Sequence, residues 1–343
     1  MILYAGNKLS KFGLTPTFIE TLTPELSGHY DLISVSDKKN KFLRLSDMVF
    51  NVYKNRKRLK LVLIDSYSMQ AFWYTYILAK ISLMNNIPYM PILRGGGYPE
   101  RLKSSPKLCR SVFSRSAKNI SPSLYLKKHF EDSGYEVVYI PNFIPIEKYS
   151  YKQRENVRPK LLWVRSFHEI YNPLLALEVL KKLKNKFSDA ELCMVGPDKD
   201  GTLQKVIDKA KEDKLSDSLR ITMKLSKSEW LELSTGYDIF INTTDFDNHP
   251  VSVIEAMATG LPVISTNVGG LPFLIENNID GILVNPRSPD EFADQVERLI
   301  SDNDLVKKIT LNARKKAEGF DWGIIKNKWF AVIDQVIKNQ NVL

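Results

Sequence analysis

The chain has 343 residues, of which 43% are hydrophobic and 26% charged, with 49 Lys+Arg against 39 Asp+Glu and a formal net charge of +10. That length exceeds one typical domain, so two are expected, and the apolar fraction is enough for real cores and excludes a disordered chain. The two cysteines, Cys109 and Cys193, stand far apart and form no metal-binding or redox motif, which points to a reduced cytoplasmic compartment.

The first predicted strand, at 2–5, follows Met1 directly, with no signal-peptide pattern ahead of it. Gly6, Gly13 and Thr15-Pro16 then lead into a helix. Gly13 is either a plain turn or a point where backbone can approach a ligand. Strands are predicted at 30–35 and 61–65, with a helix over 42–53 between them, and Asp65-Ser66-Tyr67 opens a helix over 71–83. The stretch 71–84 is apolar, but it is too short to cross a membrane and contains Lys80; no run of 18 apolar residues exists elsewhere. A strand at 88–93 ends in Arg94-Gly95-Gly96-Gly97, and another is predicted at 137–140. Residues 147–159 are polar and of mixed charge, as a linker would be.

The second half opens with a strand at 160–165, a helix with apolar residues at helical spacing over 174–183, and a strand at 190–195 closed by Gly196-Pro197. A strand at 221–223 precedes Lys224. Next comes a strand, loop, helix, strand unit. Residues 238–242 read as a buried parallel strand; Pro250 fits the first turn of a helix, Gly260 its C′ position, and 261–265 the following strand. The loop lies at the carboxyl end of a strand, where open α/β sheets bind ligands. A helix N-terminus with unpaired N–H groups suits a phosphate or a sugar hydroxyl. Asp247 stands in the loop and Glu255 in the second helical turn, roughly 8–10 Å apart at about 1.5 Å per residue. That spacing lets one carboxylate face a sugar and the other a ribose, with a diphosphate between them; ordinary capping and a solvated face are the plain alternative. A strand at 281–284, amphipathic helices at 289–300 and 305–317, and a last helix after Phe320-Asp321-Trp322 complete the chain, with no internal repeat.

The Asp247-x7-Glu255 stretch, continued by Thr266-Asn267-Val268-Gly269-Gly270-Leu271-Pro272 and Glu276, resembles the acid-x7-acid signature of retaining GT-B glycosyltransferases of the large family 4 type, which usually reads Glu-x7-Glu. The likeness is specific over 238–286 and looser elsewhere. It implies an α/β GT-B architecture: two Rossmann-like domains facing a cleft, an acceptor domain over 1–150, a nucleotide-sugar donor domain over 156–320, and a C-terminal helix at about 322–343 packed back on the first. Asn119-Ile120-Ser121-Pro122-Ser123 is similar to the family's strand-to-helix serine turn, Pro141-Asn142-Phe143-Ile144-Pro145 to the end of its first domain, and Phe320-x-Trp322 to the crossing back.

The resemblance implies transfer of a sugar from a nucleotide-diphosphate sugar to a glycan or lipid-linked acceptor with retention of configuration, as in bacterial surface polysaccharide assembly. Asp247 would hold donor-sugar hydroxyls, with Asn248, Pro250 and the backbone N–H groups of Val251 and Ser252 beside it. Glu255 would bind the ribose. Arg165 falls where relatives place an arginine on the donor diphosphate, and Gly13 where they keep a glycine loop near it. Two positions depart from the pattern. The usual lysine after Arg165 is replaced by Tyr171-Asn172-Pro173, with Lys224 as a candidate substitute. The usual histidine at the end of strand 88–93 is Arg94, so no catalytic histidine is carried over; Gly95 and Gly96, with Gly97, form either an acceptor loop or a merely flexible one. No metal and no cofactor beyond the nucleotide sugar as co-substrate are expected, and no side-chain nucleophile is evident, in keeping with front-face attack by the acceptor hydroxyl. A non-catalytic nucleotide-sugar-binding partner subunit and a GT-B sugar epimerase are the alternative readings.

Charge is divided unevenly. Residues 1–150 hold 22 Lys+Arg and 11 Asp+Glu, net +11, so the excess lies in the half that would bind acceptor. One cluster is Lys54, Arg56, Lys57, Arg58 and Lys60; the other is Arg101, Lys103, Lys107, Arg110, Arg115 and Lys118. An anionic membrane surface is the expected partner, with the enzyme peripheral at the inner face of the plasma membrane. The second cluster, with Leu102, Leu108, Val112 and Phe113 among its cations, is expected to form the interfacial helix; a solvated basic face is the alternative. No nucleic-acid motif is present, so nucleic acid is not an expected partner.

Overall fold

Apolar runs too continuous for half-exposed strands set the architecture. Ile2–Ala5, Leu61–Ser66, Tyr89–Leu93, Ile239–Asn242 and Val263–Thr266 are buried along their whole lengths. Strands covered on both faces belong in parallel sheets with helices on each side. The structure, a computed structural model describing residues 1–340, contains two such six-stranded sheets. The last residues of the helix expected to reach 343 lie outside the described ones.

The first sheet contains β1 (Ile2–Ala5), β2 (Leu32–Val35), β3 (Leu61–Ser66), β4 (Tyr89–Leu93), β5 (Asn119–Ser121) and β6 (Val137–Tyr139) in the order β2-β1-β3-β4-β5-β6. All pairs are parallel, with Leu3 opposite both Ile33 and Val62. Around it lie α1 (Phe18–Ser27), α2 (Lys41–Asn55), α3 (Phe72–Met84), α4 (Tyr98–Ser104), α5 (Pro106–Phe113) and α6 (Leu124–Asp132). Together with the chain from Lys326 onward, Met1–Pro141 makes one compact unit. Its order reverses between β1 and β3, which makes the sheet doubly wound.

The basic segment 101–118 corrects one expectation. It is two short helices broken at Ser105-Pro106, since a proline cannot continue α4 but starts α5 well. Leu102, Val112 and Phe113 are buried in the core, and the Phe113 ring lies edge-on to Tyr98 at 5.6 Å and Phe130 at 4.9 Å. These apolar residues face inward, so the segment offers no interfacial apolar face. By contrast α2 buries Arg44, Met48 and Val52 and leaves Phe42, Leu43, Phe50 and Tyr53 exposed.

The second sheet contains β7 (Lys160–Val164), β8 (Glu191–Val195), β9 (Leu219–Thr222), β10 (Ile239–Asn242), β11 (Val263–Thr266) and β12 (Ile282–Val284) in the order β12-β11-β10-β7-β8-β9. Read from its own first strand this is the 3-2-1-4-5-6 order of dinucleotide-binding sheets, and its direction switches between β7 and β10. The helices are α7 (Pro173–Lys184), α8 (Thr202–Glu212), α9 (Lys227–Ser234), α10 (Val251–Ala258), α11 (Leu271–Leu274), α12 (Pro289–Ser301) and α13 (Asn303–Glu318). This second unit spans Asn142–Ile325. Residues 147–159 pack onto it. Tyr149 is buried, and the buried Arg154 donates to the carbonyls of Lys152, Ser234, Tyr237 and Thr259.

The chain enters and leaves the second unit at adjacent places. Ile144 bridges Asp321; the Ile144 N–H donates to the Phe320 carbonyl at 3.0 Å and the Trp322 N–H to the Ile144 carbonyl at 3.3 Å. The last helix, α14 (Trp322–Gln340), starts there and from Lys326 belongs to the first unit. In that unit Trp329 is fully buried, its ring 6.3 Å from Phe18, and Asp334 accepts from the Tyr30 hydroxyl at 2.9 Å. Among the described residues, no helix is long and apolar enough to cross a membrane.

Candidate active site

The switch point of the second sheet collects the charged residues. Arg165 directly follows β7, its N–H bound to the Val195 carbonyl at 3.0 Å. The loop after β10 brings Asp247 to it, and Arg165 Nη2 donates to Asp247 Oδ2 in a tight ion pair. Both side chains are only 14% exposed. Asp247 Oδ1 accepts the Asn248 N–H at 2.7 Å. The guanidinium stands 5.1 Å over the Tyr171 ring. Tyr171, where the resemblance leads one to expect a lysine, is instead a platform for the arginine. Arg165 Nε and the Ser252 hydroxyl are buried without a hydrogen-bond partner among the described residues, so each has a hydrogen bond still to make.

The acid loop is shaped by what packs against it. The Gly270 N–H donates to the Asp247 carbonyl at 2.8 Å, and a Cβ on Gly270 would lie 1.7 Å from the Asn248 carbonyl oxygen. Arg165 is crowded in the same way, because a Cβ on Gly196 would lie 1.8 Å from its carbonyl oxygen. Helix α10 starts at Val251, with Pro250 as a cap that offers no side-chain acceptor. Its first N–H groups, Val251 and Ser252 included, are thus left to a ligand or solvent. This start also corrects the spacing argument: residues 247–250 are not helical, so the helical rise does not set the separation of Asp247 and Glu255.

Glu255 is 4% exposed and sits on the first turns of α10. Its Oε1 accepts from the Tyr149 hydroxyl at 2.8 Å and forms a tight ion pair with Lys227 Nζ. Both donors converge on one oxygen and leave Oε2 to a further partner. Burial, then the Glu255 charge, raises the Tyr149 phenol far above its usual range, so it acts as a hydrogen donor. Lys227 opens α9 behind Ser226, which makes a capping box with Glu229. Its ammonium lies 5.5 Å from the Trp230 ring.

Sequence reasoning missed both Tyr149 and Lys227. Lys224, its candidate for the second cation, lies exposed in the loop between β9 and α9, three residues before the lysine that reaches Glu255. Sequence reasoning also passed over the Asp245-x-Asp247 spacing. The structure sends these carboxylates to different cations: Arg287 donates to Asp245 Oδ2 at 2.8 Å, while Asp247 takes Arg165. Among the described residues no three His, Cys, Asp or Glu side chains are gathered as a metal site would need.

The remaining candidates belong to the first unit. Gly13 ends a short 3₁₀ turn over Ser10–Phe12 with φ at 81°, and a Cβ there would meet nothing within 4 Å. Arg94 follows β4, its guanidinium 4.1 Å from the Phe18 ring centre. Gly95 presses on Ser68, whose backbone nitrogen would be 2.2 Å from an added Cβ, and Gly96 lies in the turn before α4. Asp65, at the end of β3, accepts from the Tyr4 hydroxyl at 2.8 Å and is buried. Burial pushes its carboxyl up to about 6, against the opposing attraction of Arg94 and the Tyr4 hydrogen bond.

Residues 146–316 match the family described as glycosyl transferases group 1. Among curated proteins, the N,N'-diacetylbacillosaminyl-diphospho-undecaprenol alpha-1,3-N-acetylgalactosaminyltransferase of Campylobacter jejuni is 29% identical over 114 residues, 33% of this chain and 30% of that protein. The UDP-Gal:alpha-D-GlcNAc-diphosphoundecaprenol alpha-1,3-galactosyltransferase of Escherichia coli is 24% identical over 196 residues, 53% of this chain and 50% of its own length. The chain thus spans half or less of these relatives' length. Among solved structures, Anabaena Alr3699/HepE in complex with UDP superimposes with a TM-score of 0.74 at 15% identity, covering 100% of both chains. Sucrose-phosphate synthase from Thermosynechococcus elongatus does so with a TM-score of 0.77 at 14% identity over 98% of this chain and 99% of that one. At such identities the likeness shows the fold.

Proposed function

We propose that the chain is a GT-B, family-4-like glycosyltransferase that moves a sugar from a nucleotide-diphosphate sugar to a glycan or lipid-linked acceptor with retention of configuration and without a metal ion. The reading rests on one observation. Two acid–base pairs, Arg165–Asp247 and Lys227–Glu255, stand at the strand-order switch and the following helix of the second unit. Diphosphate charge is met by Arg165, whose Nε is still unused, and by the uncapped N–H groups of α10. The ribose hydroxyls donate to Glu255 Oε2, with Tyr149 fixing the carboxylate from the other side. Asp247 turns from Arg165 toward donor-sugar hydroxyls as the phosphate takes over the guanidinium. Preorganised cations of this kind stabilise the charge that develops on the leaving diphosphate. The acceptor hydroxyl attacks from the face the diphosphate leaves. The C. jejuni and E. coli relatives, both named for diphospho-undecaprenol substrates, support a lipid-linked acceptor in surface polysaccharide assembly.

Thermal shift across UDP-, GDP- and ADP-sugars should single out one base. Glu255→Gln should then weaken that nucleotide's binding by about 1.5–3 kcal/mol with folding intact. With a lipid-linked acceptor the product should keep the donor's anomeric configuration, with or without EDTA. Inversion, or abolition by EDTA with rescue by Mn²⁺, would overturn the mechanism. Selective binding with no turnover of any acceptor would make the chain a nucleotide-sugar-binding partner subunit.

A further inference from the structure

We propose that the outer face of α2, together with the start of α3, docks the first unit onto an anionic lipid bilayer. The proposal rests on the transferase reading only for its purpose, reaching a lipid-linked acceptor; the surface itself is read from the first unit alone. At 100° per residue, Phe42, Leu43, Phe50 and Tyr53 fall within an arc of roughly 100°, opposite the buried arc of Arg44, Met48 and Val52. Their exposures are 83%, 62%, 59% and 57%. One exposed apolar residue is ordinary, but three rings and a leucine on one face of a helix, with Ser46 among them, are a surface without its partner. Trp73, 48% exposed, extends it, because the starts of the two helices lie side by side: the Tyr74 hydroxyl donates to the Lys41 carbonyl at 3.0 Å and Lys41 Nζ to Gln70 at 3.2 Å.

Charge selects the occupant. Residues 38–60 carry nine Lys and Arg and a single acid, Asp47. The cations stand among the rings: Lys54 Nζ lies 5.9 Å from the Phe50 ring centre and the Arg56 guanidinium 3.9 Å from that of Tyr53. A second copy of the chain would oppose the same positive face and be repelled. A bilayer with anionic headgroups satisfies both components, taking the rings into its interface while the phosphates meet the ammonium and guanidinium groups. The segment 101–118 adds charge to this unit but no ring to insert, since Leu102, Val112 and Phe113 are buried.

Flotation with phosphatidylcholine vesicles, with and without phosphatidylglycerol, tests the assignment. The full chain should bind only the anionic vesicles and leave them at high salt. Trp73 emission should shift to the blue on binding, whereas Trp163, Trp230 and Trp329 are already buried; Trp73→Phe should remove the shift. Phe42→Ser and Phe50→Ser, both at exposed sites, should each lower partitioning by about tenfold; the exposed Lys103→Ser and Arg110→Ser should cost less than either. Equal binding to neutral vesicles, binding indifferent to Phe42→Ser and Phe50→Ser, or a lipid-free dimer that these substitutions dissolve, would overturn the proposal. Nucleotide-sugar binding and transfer to a soluble acceptor report on the transferase reading separately. Docking without transfer keeps the surface and removes the enzyme; transfer without docking does the reverse.

Discussion

Asp65 carries the least comfortable charge among the residues described above. It is 3% exposed at the end of β3, and burial pushes its carboxyl up to about 6. A carboxyl whose folded value is raised favours folding fully below its unfolded value near 4. That contribution is lost as pH rises through the folded value. A shift of about two units corresponds to roughly 3 kcal/mol. Asp65→Asn keeps an acceptor for Tyr4 and removes the ionisation. The first unit should then unfold about 2–3 kcal/mol later at neutral pH and lose its pH dependence between about 4 and 6. Urea melts across that window check this; a variant as pH-sensitive as the parent assigns the dependence elsewhere. At this scale the sequence was legible where position is written as local spacing. Arg165, Asp247 and Glu255 follow from a strand end and an acid-x7-acid interval. Tyr149 and Lys227 do not, because they lie 106 and 28 residues from Glu255 and meet it only through folding.

Elements were readable wherever burial sets a period. The parallel strands fall within a residue or two of their apolar runs, since a strand covered on both faces needs continuous apolar residues. Faces were not readable. Over 101–118 the apolar residues among cations suit an interface or a core equally, and the core takes them; Pro106 was the available sign of a break. In α2 the reverse holds, because nothing local tells which of two apolar arcs is covered. Tight approach between loops was also out of reach, although the glycines were visible. With Gly270 pressed on the Asn248 carbonyl, Gly270→Ala must move the backbone that carries Asp247. Overpacking of this kind costs about 1–3 kcal/mol. Nucleotide-sugar affinity should fall with it, as calorimetry would show; full affinity would mean that the acid loop relaxes without moving its carboxylate.

The two sheets share a construction and differ in where each reverses. The second switches between β7 and β10, and Arg165 and Asp247 are paired at those strand ends. The first switches between β1 and β3, where Tyr4 and Asp65 meet. Eleven of the twelve strands could be read from apolar runs, the short β5 only through its likeness to a strand-to-helix turn; their order could not, because crossover connections leave no local trace. A prediction belongs to this scale. The fragment Asn142–Ile325 contains a complete sheet and its helices, so it should fold alone and bind the nucleotide sugar. The first unit cut at 325 should expose the site that Trp329 fills and aggregate. Circular dichroism and light scattering on both pieces decide it; an unfolded fragment would show that the units stabilise each other.

The pairing of Ile144 with Asp321 gives that division a further meaning. A body whose two ends lie side by side is an insertion, and an insertion can be exchanged by two cuts in the gene. On the proposed reading, chains of this kind can recombine sugar specificity with acceptor specificity as separable cassettes, and the seam to cut is the short parallel bridge where the polypeptide goes out and comes home.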